Sequence, residues 1–264
     1  MYFSPTGTTR RAAAAFGGAL AGRLDFSETA ELDFAPPASR REAARFGRDD
    51  FLILGLPVYA GRVPNVLREF IAGLRGDQTP AVVLAMYGNR SPGDALAELR
   101  ELLTDGGFLV LGAGAFIGEH SFSQVLAKGR PNDADLAELS RFAGALADKF
   151  LRGDRSADYA VPGTLPLQGY YKPLGLDGQP VNFLKAKPET SDACTRCGLC
   201  VRLCPMGSIA PEDPSAVPGV CIKCCACVKE CPVGAKTFTD PGFLSHLAQL
   251  EANYQAPKAP EWYL

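Results

Sequence analysis

No cysteine occurs before Cys194 in a chain of 264 residues, and all nine fall between Cys194 and Cys231. That confinement excludes a disulfide network spread over the protein and favours a local site built from sulfur ligands. Histidine is scarce as well. Only His120 and His246 are present, both far in sequence from the cysteines, so a mixed Cys/His zinc site has little to draw on. An excess of one charge is also missing: 27 Lys and Arg against 29 Asp and Glu leave a formal net charge of -2, too little to attract nucleic acid. No apolar run approaches the roughly 18 to 20 residues that span a bilayer, and Met1-Tyr2-Phe3-Ser4 lacks the layout of a signal peptide. The expectation is a cytoplasmic protein without nucleic-acid or membrane partners.

The length suits one α/β domain of ordinary size plus a smaller module. From Thr8 to about Leu24 the sequence is Ala-rich with apolar positions at helical spacing, and it follows the hydroxyl and glycine cluster of Ser4 to Gly7. A weak strand near Ala30 to Phe34 precedes a polar stretch through Asp50. The continuous run Phe51-Leu52-Ile53-Leu54-Gly55-Leu56 is of the kind buried on both faces of a parallel sheet. Further strands are predicted at Ala81 to Met86 and Phe108 to Ile117, with helices near Pro64 to Leu74, Gly93 to Leu103 and Ala134 to Leu151. This alternation predicts a doubly wound parallel sheet over residues 1–151, with its ligand crevice at the carboxyl ends of the strands. Residues 152–187 are broken by Pro and Gly yet carry Leu165, Leu167, Tyr170, Tyr171, Leu174, Val181 and Phe183, which predicts a packed connector. The cysteine module occupies residues 188–240. A tail, 241–264, offers a short helix over Phe243 to Tyr254 and then a Pro-broken end.

Cys194, Cys197, Cys200 and Cys204 followed by Pro205 form C-x2-C-x2-C-x3-C-P, and Cys221, Cys224, Cys227 and Cys231 followed by Pro232 repeat it. The copies extend to Pro205-Met206-Gly207 and Pro232-Val233-Gly234, which makes the pattern an internal duplication. Two-residue gaps let three thiolates curl around one face of an iron-sulfur cube, while the fourth, set off before a proline, reaches a neighbouring cube. A zinc ribbon instead shows two separated C-x2-C pairs. The segment from about Glu189 to Asp240 resembles the bacterial two-cluster ferredoxins, an α+β module. Carried over from that resemblance, one 4Fe-4S cluster takes Cys194, Cys197, Cys200 and Cys231, and the other takes Cys221, Cys224, Cys227 and Cys204. Cys225 lies outside the repeat and reads as a small buried apolar side chain.

Ser4-Pro5-Thr6-Gly7-Thr8-Thr9 offers four hydroxyls and a glycine where a helix begins, and free backbone N-H groups there favour a phosphate. The loop resembles the FMN-phosphate loop of flavodoxins, with Ser4, Thr6, Gly7, Thr8 and Thr9 as its binding residues. A plain helix cap is the alternative. Two further loops, Pro57-Val58-Tyr59-Ala60-Gly61 running on to Arg62, and Tyr87-Gly88-Asn89-Arg90, resemble those that flank the flavin ring in a family of flavodoxin-ferredoxin fusions. Arg62 or Arg90 facing the flavin would raise its potential. Gly112 to Gly118 has the wrong spacing for a dinucleotide fingerprint and reads as a small-residue strand, leaving no NAD(P) site. His120 follows the strand predicted at Phe108 to Ile117, within reach of the flavin or of substrate.

One feature departs from the flavodoxin pattern: only Met1-Tyr2-Phe3 precede the loop, a short version of a strand that is interior in that fold, so the native start is expected upstream. The resemblance covers nearly the whole chain and implies electron transfer between FMN and two 4Fe-4S clusters, relaying between a donor and an acceptor, protein or small molecule, with no acid-base catalytic residue. An FMN-dependent reductase of a small molecule fed by the clusters, with Tyr59, Tyr87 or His120 as proton donor, is the alternative from the enzyme class. A flavin-free cluster protein with a degenerate first domain is the third reading.

Overall fold

The computed structural model describes residues 1–26 and 28–264. In chain order its elements are α1 (Thr8–Leu24), β1 (Arg45–Phe46), β2 (Leu52–Pro57), α2 (Asn65–Gly73), β3 (Arg75–Gly76), β4 (Thr79–Tyr87), α3 (Ala95–Asp105), β5 (Phe108–Ile117), α4 (Asp133–Leu151), β6 (Glu189–Thr190), α5 (Leu199–Leu203), α6 (Ala226–Lys229), β7 (Lys236–Thr237), α7 (Pro241–Asn253) and β8 (Glu261–Tyr263). Strands β2, β4 and β5 lie side by side and parallel. On the other side of β2, Tyr2 forms parallel bridges to both Gly55 and Asp33. Taking those bridges as the first two strand positions, the order is 2-1-3-4-5, the order of the flavodoxin-like class of doubly wound folds.

The three residues before the phosphate-type loop fill an interior strand position. Phe3 N-H donates to the Gly55 carbonyl, Gly55 N-H to Met1, Tyr2 N-H to Leu32 and Phe34 N-H to Tyr2. The strand expected over Ala30 to Phe34 shrinks to the single bridge at Asp33. Its sequence alternates too weakly to hold an edge, with Leu32 exposed while Phe34 is buried.

Both faces of the sheet are covered, as its continuous apolar strands require. Ala81, Val83 and Ala85 of β4 face Leu67 and Ile71 of α2 and Leu96, Leu99 and Leu103 of α3. Val82, Leu84 and Met86 face Phe16 and Leu20 of α1 and Leu139, Phe142 and Leu146 of α4. Gly55 lets α1 lie close on the sheet: a Cβ there would stand 3.1 Å from Thr9 Cγ2 and 3.4 Å from Ala13 Cβ. That approach brings the start of α1 to the carboxyl end of β2.

The connector runs along the first domain. Tyr170 Oη donates to the Val63 carbonyl, Tyr171 N-H to Ala60, and Tyr159 Oη to Val110. The tail returns to the sheet, where β8 pairs antiparallel with β5. Trp262 stacks on Phe142 at 5.3 Å, and its indole N-H donates to Glu138. A three-residue strand is too short for alternation to reveal it. No described helix is long and apolar enough to cross a membrane.

Candidate functional site

Three cavities gather the chemistry-bearing residues, and one cysteine is common to two of them. The first is a cleft at the carboxyl ends of the strands. Ser4, Thr6, Thr8 and Thr9 line one end of it, Pro57, Val58 and Tyr59 a side, and Tyr87 and Gly88 another.

The cleft's hydroxyl end is built for an anion. Gly7 caps α1 in the left-handed region with no side-chain cap, and the amides of Thr6, Thr8 and Thr9 have no partner among the described residues. Ser4 Oγ accepts the Arg10 N-H at 2.9 Å and holds the loop against the helix. The contrast is α4, whose first turn is closed by a reciprocal capping box between Asn132 and Asp135. At α1 the N-H groups and the positive end of the helix dipole are left facing the cleft.

The ring-side loops divide. The chain turns back at Ala60 and Gly61, both left-handed, between the paired backbones of Tyr59 and Arg62. That turn points Ala60 and Gly61 away from the cleft. Arg62 also faces elsewhere: its guanidinium is buried against Glu98, with bonds of 2.7 and 2.8 Å, and also reaches the Gln168 carbonyl. Asn89 is buried and donates to the Tyr254 and Ala256 carbonyls, anchoring the tail. Arg90 lies 4.1 Å over the Tyr171 ring. Gly7, Ala60, Gly61, Asn89 and Arg90 are not among the residues lining the cleft, and neither is Arg62; of the two arginines, Arg90 still acts on the cleft through its charge, felt at His120.

Residues 118–121 line the cleft beside Gly88. Gly88 admits the His120 ring, because a Cβ there would meet His120 Cδ2 at 2.4 Å. His120 Nδ1 accepts the Phe122 N-H at 3.1 Å, which leaves the other ring nitrogen as the donor. Burial, reinforced by Lys229, His246 and Arg90, lowers its pKa to about 4, so the imidazole is neutral at pH 7. Glu119 pairs with Lys229 of α6 at 2.5 Å, tying this loop to the cysteine segment. Glu119 and Ser121 were missed as candidates; their only signal is a position directly after the last parallel strand.

The other two cavities lie in that segment. Cys204, Cys221, Cys224 and Cys227 line one, with Cys225 also in its wall, and Cys194, Cys197, Cys200 and Cys231 line the other. Each gathers three repeat cysteines of one run and the fourth of the other. Among the described residues no three Cys, His, Asp or Glu side chains converge on a single-ion site; the thiols surround space instead. Burial, with neighbouring sulfurs adding to it, pushes the Cys227 thiol up to about 12, and burial does the same for Cys224. Burial thus favours the neutral thiol at these two positions, and a bound cation would favour the thiolate. Cys225 is buried with Ala186, Phe238 and Phe243, in the apolar setting expected of it.

The backbone repeats with the sequence: Arg196 and Lys223, Gly198 and Cys225, and Gly207 and Gly234 are all left-handed. With this geometry the match is plain. Residues 187–240 match the family of the 4Fe-4S dicluster domain. Among solved structures the chain is similar to a flavodoxin of Streptococcus pneumonia TIGR4, at 18% identity over 56% of this chain and 95% of that one, with a TM-score of 0.39. No curated protein matches the chain. The dicluster segment meets the first cleft at Cys224, which lines both that cleft and the cavity of Cys204, Cys221 and Cys227.

Proposed function

We propose that this protein carries electrons between an FMN held in the cleft and two 4Fe-4S clusters held in the cysteine cavities, relaying them between an external donor and acceptor. The carrying observation is Cys224, which belongs at once to the wall of the cleft and to a cluster cavity. A ligand sulfur in that position leaves no protein layer between the two cofactors. The unpartnered amides of Thr6, Thr8 and Thr9, with the hydroxyls around them, suit the FMN phosphate. Pro57, Val58, Tyr59, Tyr87 and Gly88 would hold the ring. The two sets of four cysteines surround cavities and do not converge on a point, which favours cubes over zinc.

Bound FMN would accept electrons in pairs and release them singly, and the clusters pass them one at a time. The chain's own part is to orient and to exclude water. His120 offers a neutral N-H donor at the cleft, and its low pKa makes it a poor source of protons at pH 7, which leaves Tyr59 and Tyr87 as the proton donors a reductase would need. Glu119, bonded to Lys229, holds the dicluster segment at the cleft, and Arg40, donating to the Pro205 carbonyl, ties it to the first domain elsewhere. Anaerobic purification with iron, sulfide and flavin measured on one sample tests the reading: it predicts about eight iron and one FMN per chain. Full iron with no flavin, or zinc in place of iron, would refute it.

A further inference from the structure

The internal duplication allows the two cysteine cavities to be compared position by position. Cys194, Cys197 and Cys200 correspond to Cys221, Cys224 and Cys227, and Cys231 corresponds to Cys204. The surroundings keep the correspondence closely. Ser208 N-H donates to Cys204 Sγ at 3.3 Å, and its counterpart Ala235 N-H donates to Cys231 Sγ at 3.2 Å. Two cations line one cavity without a cationic counterpart lining the other: Arg196, which is exposed and screened by solvent, and Lys236, which is buried. Five residues after the fourth cysteine of each run stand Ile209, in the wall of the Cys204, Cys221, Cys224 and Cys227 cavity, and Lys236, in the wall of the other. Both are buried, at 4% and 3% exposure.

Lys236 Nζ donates to Thr190 Oγ1 at 2.7 Å and to the Pro214 carbonyl. No carboxylate ion-pairs with it among the described residues. An ammonium buried among neutral acceptors is costly unless negative charge lies beside it. A cube with four thiolate ligands supplies that charge, and the supply grows when the cube takes up an electron. A fixed positive charge in the wall therefore favours the reduced cluster, while an isoleucine in the same place favours neither state.

We infer that Lys236 sets the two clusters of the relay proposed above at different potentials, making the one held by Cys194, Cys197, Cys200 and Cys231 the easier to reduce. The other cavity is the one that touches the cleft, through Cys224. The downhill step thus runs away from the cleft: the cleft-side cluster is oxidised by one electron as the far cluster is reduced by one. The far cavity carries Cys197, the one exposed cysteine, so the step ends where an external acceptor reaches the protein.

The test is an anaerobic redox titration of the loaded protein followed by the EPR of the reduced clusters, with iron counted on every sample. Wild type is expected to show two separate one-electron cluster steps. Lys236→Met and Lys236→Gln should each lower the upper step so that the reduced-to-oxidised ratio at a fixed potential falls at least tenfold, equivalent to 59 mV for one electron. Lys236→Arg, which keeps the charge, should hold the upper step near its original place. Coincident steps in wild type, a smaller shift, or movement of the lower step instead would overturn the inference. If the neutral variants lose iron, retention in Lys236→Arg supports a charge acting on that cluster, and loss from all three makes the role structural and overturns it. Wild-type iron far below about eight per chain would defeat the two-cluster reading itself, a separate failure.

Discussion

Residues 1–151 and residues 188–240 solve the folding problem in different ways. The first region buries hydrocarbon on both faces of a parallel sheet, with Phe3, Leu54 and Leu99 on one side and Phe16, Phe116 and Phe142 on the other. The second has two-residue strands, helices of four and five residues, and one small apolar cluster. Even that cluster is shared: Ala186 belongs to the connector, Phe243 to the tail helix, and Phe122 reaches in from the first domain. So few apolar contacts cannot offset the entropy of ordering some fifty residues, so the segment would depend on the clusters proposed for it and on the neighbouring domain.

The comparison breaks most visibly when iron is removed. Chelation should unfold residues 188–240 while the parallel sheet persists, read by hydrogen exchange as loss of protection after β6 and retention in β2, β4 and β5. Equal loss in both regions would contradict the division. Next in size, Glu98→Ala should destabilise the first region by about 3 to 5 kcal/mol in chemical denaturation, because it strands the buried Arg62 guanidinium. The iron content of the purified protein should stay unchanged.

His120, at the junction, sharpens the comparison through pH. Its pKa falls from 6.5 to about 4 on folding, so between those values the unfolded chain binds the extra proton. Stability therefore declines as pH falls from 6.5 and the loss is complete below about 4, amounting to about 3 kcal/mol at 1.36 kcal/mol per unit. His120→Gln should flatten that acid slope in paired denaturation curves; an unchanged slope would place the acid sensitivity elsewhere. The smallest effect is expected at Ser4→Ala, which removes the acceptor for the Arg10 N-H. It should weaken FMN binding about fivefold, or about 1 kcal/mol, in a fluorescence titration.

Periodicity revealed the regular parts of the first region, since α1 and β5 span the residues that their apolar spacing marks. Local motifs marked Ser4 to Thr9, which apart from Gly7 are gathered at the cleft, and the eight repeat cysteines, which are gathered at two cavities. Side-chain direction after a turn was not legible. Arg62, Asn89 and Arg90 sit next to cleft residues in sequence, yet each is claimed by a partner far along the chain: Glu98, the tail carbonyl of Tyr254, and Tyr171. The same holds for β8, which forms only because β5 presents an open edge. The contrast of Ile209 with Lys236 was present in the repeat, but its meaning required knowing that both line cavities.

The central claim is that cleft and cluster cavity meet at Cys224. Pulsed EPR on the half-reduced, fully loaded protein tests it most directly, by reading the coupling between unpaired spins on the flavin and the nearest cluster. The account predicts a flavin signal that relaxes fast and is split by its neighbour. A slowly relaxing, unsplit flavin signal in a sample with its full complement of iron and reduced clusters would contradict it.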